Sequence, residues 1–170
     1  MSQHLATVQW QRNGVTFTDH QYSREHIWQF DGGMEIVASA SPQNVREPYT
    51  NPACVDPEEA FVASLSSCHM LWFLAIAAKQ KFVVERYLDR AVGILEKDEA
   101  GNLAITQVRL RPEIMFAGDD QPTDQQVEEM HEAAHDRCFL ANSVKTQILV
   151  EAVTSLQQCG GCSSRSLLFE

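Results

Sequence analysis

Two cysteines stand where helical spacing would bury them. Phe61, Leu65, Cys68, Trp72 and Ile76 recur at steps of four, three, four and four, and Val127, Met130, Ala134 and Cys138 at steps of three, four and four. Each set lines one helical face, so both thiols point into an interior. A thiol in such a place is either a small buried hydrophobe or, once ionised, a nucleophile; the thiolate is the reactive form and burial opposes it. Cys68 falls about three turns into its helix, beyond the reach of the amino-terminal dipole, which fades after the first turn. To ionise, it needs a cation beside it. Arginine fits best, being permanently charged and able to hold a carboxylate with its remaining nitrogens. Two arginines precede the helix outside a clear strand interior, Arg24 in HQYSREH and Arg46 in QNVREPY.

Other residues compete for a role. HEAAH at 131–135 matches H-E-x-x-H, two histidines one turn apart with a glutamate as base, the signature of a zinc hydrolase. Its continuation does not support that chemistry. Cys138 stands where a metzincin has glycine, Ala141 where it has its third histidine, and Glu151, the nearest later carboxylate, falls in a strand. A solvated helix face accounts for His131, Glu132 and His135 more simply. Cys159 and Cys162, in CGGC, have the spacing of a redox pair or of half a zinc site that two tails could close across a dimer. No second pair accompanies them, and spare thiols in a loose tail are the simpler account. Cys54 lies in the loop just before the helix, either a bystander or a competitor for oxidised Cys68.

The elements that must position these groups follow from pattern. Val8 and Trp10, then Asn13-Gly14, then Val15 and Phe17, read as a hairpin with a two-residue turn. A second hairpin has arms at 26–30 and 34–40 around Asp31-Gly32-Gly33. Residues 41–56 lose periodicity, carry Pro42, Pro48 and Pro52, and form a loop long enough to suggest a site or a dimer contact. Asp56 as N-cap, Pro57 at the first helical position and Glu59 completing a capping box open a helix over 57–80. From Leu71 to Ala78 it is apolar on every side, which predicts burial on every side. Two alternating segments, 85–97 and 103–116, predict a third hairpin. Thr123 with Gln126 opens a second helix, and 144–152 alternates as a last strand. Strands, buried helix, strands, helix and strand make an α+β fold, antiparallel sheet on two long helices, with residues 1–154 as one domain and 155–170 as a tail.

Composition narrows the partners. With 13 basic against 23 acidic side chains and a formal charge of -10, the surface repels phosphate backbones and anionic lipid. No nucleic-acid or membrane partner is expected, the longest apolar run falling well short of the ~20 residues of a membrane helix. A 170-residue chain buries roughly 70% of its unfolded surface and folds without metal or disulfides. The N-terminus lacks a secretory pattern, so a cytoplasmic location is expected, where disulfides are usually transient and catalytic.

DPEEAFVASLSSCHMLWFLAIAA resembles the central helix of the OsmC/Ohr family, the osmotically inducible and organic hydroperoxide resistance proteins, whose (N/D)-P-E-E/Q motif lies ten residues before a cysteine. AHDRCFLANSV resembles the family's second-cysteine motif. The likeness covers most of residues 22–152 and agrees with the element order. It implies an intertwined homodimer of OsmC-like fold acting as a thiol peroxidase: Cys68 peroxidatic, Cys138 resolving, Glu58 the motif carboxylate, and an arginine activating Cys68. Arg24 is favoured, because YSREH before a strand and D-G-G resembles a recurring block of the OsmC-like branch; Arg46 is the alternative. Ten residues of helix separate Glu58 from Cys68 by roughly 15 Å, so Glu58 and the arginine would reach the thiolate from a neighbouring chain. The implied chemistry converts an organic hydroperoxide to an alcohol through a Cys68 sulfenic acid and a Cys68–Cys138 disulfide, reduced in turn by a dithiol of lipoyl type or another thiol. Phe61, Leu65, Met70 and Trp72 would wall the site, and no cofactor or resident metal is implied. The readings that remain beside it are the zinc hydrolase on HEAAH and a non-catalytic OsmC-like binding dimer.

Overall fold

The structure, a computed structural model, describes residues 1–152; the domain boundary expected at 154 and the CGGC tail lie outside the described residues. Strands β1 (Ala6–Gln9), β2 (His26–Phe30) and β3 (Glu35–Ala38) form an antiparallel sheet in the order β1-β2-β3. The hairpin across Asp31-Gly32-Gly33 forms as expected, with Trp28 opposite Ile36. The first expected hairpin does not. The chain turns at Asn13 and Gly14, both at positive φ, but β1 pairs with β2 and residues 15–17 form no strand. An edge that can pair over four residues with a distant strand has no need of its local partner.

Helix α1 (Pro57–Lys79) begins where its capping signals put it: Asp56 accepts from the Glu59 amide while the Glu59 carboxylate takes the Asp56 N–H. Its amino-terminal half packs Leu65, with Phe61 and Val62, onto Val108 and Leu110. Its second half packs Phe73, Ile76 and Ala77 onto Val127, Met130 and Ala134 of α2 (Asp124–Arg137). By length and hydropathy α1 alone could cross a bilayer; here its apolar stripe is spent on α2 and the sheets. Burial on every side is not what one chain achieves. Leu71 is 63% exposed, because α2 and the sheets cover only the 65-69-73-76 stripe.

The third hairpin pairs as expected but bends into two sheets. The stretch 85–97 breaks into β4 (Val83–Asp89) and β5 (Val92–Lys97), and its partner into β6 (Leu103–Leu110) and β7 (Pro112–Ala117). β4 pairs with β7, and β5 with β6. The corner is fastened by Asp89, whose carboxylate accepts from the Arg111 amide and from the Ser66 hydroxyl of α1. Gly93 lets β5 approach α1, since a Cβ there would come within 2.5 Å of the Val62 side chain. The last strand, β8 (Gln147–Val150), adds parallel to β6, the one departure from antiparallel pairing between the named strands.

Candidate active site

The carboxyl-terminal end of α2 delivers Cys138 to the middle of α1. Cys138 is the C-cap residue, its N–H bonded to the His135 carbonyl, and it is 1% exposed. Cys68, half-buried on α1, neighbours it, and both thiols are free. Burial pushes the Cys138 thiol above its ordinary range, and the neighbouring Cys68 thiol pushes the same way; the Ala141 N–H, 3.4 Å from the sulfur, acts against them. Cys138 is thus held as a protonated thiol against the more accessible sulfur. Trp72, one turn after Cys68, meets the ring edge of Phe139 at 5.5 Å and the Arg137 guanidinium at 5.9 Å, so the segments carrying the two thiols are also joined by their neighbours.

Glu58 stands in a different place. It lines a groove of about 990 Å³ between the 41–56 loop, the outer face of α1 and β4–β5, together with Asn44, Ser66, Ser67, Met70 and Tyr87. Asn44 donates to Oε1 at 3.1 Å, while Oε2 is buried without a partner. Met70 faces this groove, and Leu65 is sealed in the core against Val108 and Leu110. Cys54 lines the same groove, its thiol pushed up by desolvation and by the Glu25 carboxylate.

Neither candidate arginine ion-pairs or hydrogen-bonds with Cys68, Cys138 or Glu58 within the described chain. Arg24 donates from Nη1 to the carbonyls of His20, at 2.9 Å, and Tyr22, and lies 3.8 Å over the Tyr22 ring. Both arginines also face the Tyr49 ring, each at 5.9 Å. The two share one aromatic patch on the amino-terminal sheet and its loop.

Of HEAAH, Glu132 is exposed and His135 half-buried, but His131 is not part of a solvated face. His131 is 4% exposed, and its Nδ1 lies 3.0 Å from Nε2 of His69, which is 1% exposed. The rings stack at 10°, with Phe73 packed on His131 at 4.4 Å. His131 follows Met130 and Ala134 inward because the stripe of α2 that α1 covers is wide enough to take it. Desolvation lowers both histidines to about 4, each helped by a neighbouring imidazole, so both are neutral near pH 7. Among the described residues no three His, Cys, Asp or Glu side chains converge to hold a metal ion, so the hydrolase reading lacks its ligand set. His69 gave no signal of its own in the sequence. Its place in the 65-69-73-76 spacing could have predicted its burial.

The sequence profile of the OsmC-like protein family matches residues 50–153. An OsmC-like protein of unknown function from Vibrio cholerae is 56% identical, with a TM-score of 0.88 over 90% of this chain and 100% of its own. More distant likenesses show the fold alone. The organic hydroperoxide resistance protein of Elizabethkingia anophelis has 19% identity and a TM-score of 0.65, over 89% of this chain and 94% of its own. For OhrB of Bacillus subtilis the values are 18% and 0.64, over 89% and 98%. No curated protein sequence matches the chain.

Proposed function

The chain belongs to the OsmC-like protein family, and from that premise we propose that it is a thiol-dependent peroxidase that reduces organic hydroperoxides as a homodimer. The observation that carries the reading is the neighbouring pair Cys68 and Cys138, one half-buried on α1 and one sealed at the carboxyl-terminal cap of α2. Cys68 thiolate attacks the terminal peroxide oxygen; the O–O bond breaks, the alkoxide takes a proton and leaves as alcohol, and the sulfur becomes sulfenic acid. Cys138 then gives up its thiol proton and attacks that sulfur, and the displaced hydroxyl takes the proton and leaves as water. An external dithiol, of lipoyl type or another, reduces the disulfide by exchange and is itself oxidised to a disulfide.

Two complementary orphans support a dimeric site. Among the described residues, Glu58 Oε2 is a buried carboxylate oxygen lacking a donor, and Arg24 is a half-buried guanidinium lacking a carboxylate. Reaching Cys68 of the partner subunit together, Arg24 and Glu58 of one chain would favour its thiolate and fix the guanidinium through paired hydrogen bonds. Arg24 is preferred to Arg46 because two carbonyls and a ring hold it, whereas Arg46 has only the Tyr49 ring at 5.9 Å. The exposed Leu71 on α1 is apolar surface for the same interface. The test is turnover of cumene hydroperoxide with a dithiol reductant. Cys68→Ser abolishes it, and Cys138→Ser leaves a sulfenic acid that a dimedone-type probe traps. Undiminished turnover by Cys68→Ser would sink the reading.

A further inference from the structure

We propose that Tyr22 is the positioning residue of the site, the aromatic platform that sets the direction in which Arg24 presents its guanidinium to the partner subunit. The inference rests on the peroxidase reading and adds the residue that makes Arg24 competent in it.

The geometry around the ring is closed on three sides. The Arg24 guanidinium carbon lies 3.8 Å from the Tyr22 centroid, close enough that it can only stand over the face. Phe17 stacks on the ring at 4.6 Å and 24°, and must therefore occupy the opposite face. Trp10 meets the edge at 5.3 Å and 65°, while its indole Nε1 donates to the Ser23 carbonyl at 2.8 Å and ties down the backbone between Tyr22 and Arg24. Arg24 is anchored at its other end by its own amide, which donates to the Tyr49 carbonyl at 2.9 Å.

This arrangement divides the guanidinium. Nη1 is committed to the carbonyls of His20 and Tyr22. The donors on Nε and Nη2 have no acceptor among the described residues, and they form the planar two-pronged edge that matches a carboxylate or another anion. A long side chain carries rotamer entropy, and a planar fork already fixed in orientation loses less of it on binding. The ring supplies that fixing, since cation–π attraction holds the guanidinium parallel to the face. A lysine there could keep the charge but neither the plane nor the division of donors.

The test compares Tyr22→Leu, Tyr22→Phe and Arg24→Ala, alone and combined, by two readouts: the pH midpoint of Cys68 alkylation by iodoacetamide, and kcat/KM for cumene hydroperoxide. Tyr22→Leu should move the alkylation midpoint to higher pH and lower kcat/KM about tenfold, while Tyr22→Phe, which keeps the ring face, stays within about twofold. In an Arg24→Ala background Tyr22→Leu should add less than about twofold, because the platform then has nothing to hold. An unmoved midpoint in Tyr22→Leu, or an equal loss in both backgrounds, overturns the platform. If Tyr22→Leu fails to fold, Arg24→Lys replaces it and should show the same upward midpoint; a wild-type midpoint there also overturns the proposal. Hydroperoxide consumption that survives Cys68→Ser would instead overturn the peroxidase reading, so the two failures are told apart.

Discussion

The thiols and the arginine proposed to serve them lie in parts of the molecule built on opposite plans. Around Cys68 and Cys138 a single chain closes its own core: α1 meets α2 through Phe73, Ile76, Met130 and Ala134, and even two histidines are sealed between them. Around Arg24 the strands of the β1-β2-β3 sheet pair only with one another, and the sheet joins the rest through the Ala38–Val55 bridge and the 41–56 loop. There Val8, Val37 and Met34 stay 66%, 51% and 63% exposed. On the proposed peroxidase reading, the redox couple belongs to one chain and its activation is left for an assembly. A pair of sulfurs that must form and break a bond needs fixed neighbours. An arginine that must reach a thiolate on another chain needs a face left open.

Core substitutions draw the comparison most sharply. Phe73→Ala should lower unfolding free energy by about 3–5 kcal/mol, while Val37→Ala, measured by urea titration at concentrations where the chain is monomeric, should cost less than about 0.5 kcal/mol. Equal costs would erase the distinction between the halves. Acid comes next. His69 and His131 are lowered to about 4 from an ordinary 6.5, so the unfolded chain binds their protons first. Stability from this pair is then fully present above pH 6.5 and is lost as pH falls toward 4, by on the order of 3 kcal/mol for each histidine. Urea midpoints between pH 7 and 4 should fall more steeply for the wild type than for a His69→Leu/His131→Leu double variant; parallel slopes would remove the pair from the account.

Mixing variants tests the open half directly. Arg24→Ala should reduce turnover by about 10–100-fold, the range expected for a lost charge-assisted contact. If arginine and thiol come from different chains, an equal mixture of Arg24→Ala and Cys68→Ser protomers holds half heterodimers with one intact site each, and regains about a quarter of wild-type activity. No recovery after subunit exchange would put both groups in one chain. The smallest effect belongs to Cys54→Ser, since its thiol opens onto the groove that holds Glu58 and sits by the Glu25 carboxylate. Turnover should stay within about twofold; a larger loss would bring this thiol into the redox cycle.

How much of this was legible in the sequence depended on how far each signal reached. Capping boxes at Asp56–Glu59 and Thr123–Gln126 are local, and both helices start where they say. The stripe through Cys68 and the one ending in Cys138 are also local, but the sealed stripe of α1 is 65-69-73-76, which leaves Cys68 half-buried at its edge. The Asn13-Gly14 turn was local too, but β1 chose β2 over the residues next to it, a choice made by pairing between distant strands. The corner in the third hairpin depends on Asp89 reaching both Arg111 and Ser66, which no period of two or 3.6 encodes. His131 looked like a polar helix face because its partner, His69, is 62 residues away and only the packed helices bring them together. Arg24 was picked out by its surrounding block, but Tyr22 and Phe17 as its neighbours are visible only in three dimensions.

The account turns on one bond. Reduced protein, with all five thiols free, is treated with one equivalent of cumene hydroperoxide per chain, and its thiols are counted and its peptides mapped by mass spectrometry. The account predicts the loss of two thiols per chain and a peptide pair joined through Cys68 and Cys138, with no such loss in Cys68→Ser. Wild type and Cys68→Ser losing the same number of thiols, with no Cys68–Cys138 link, would contradict it.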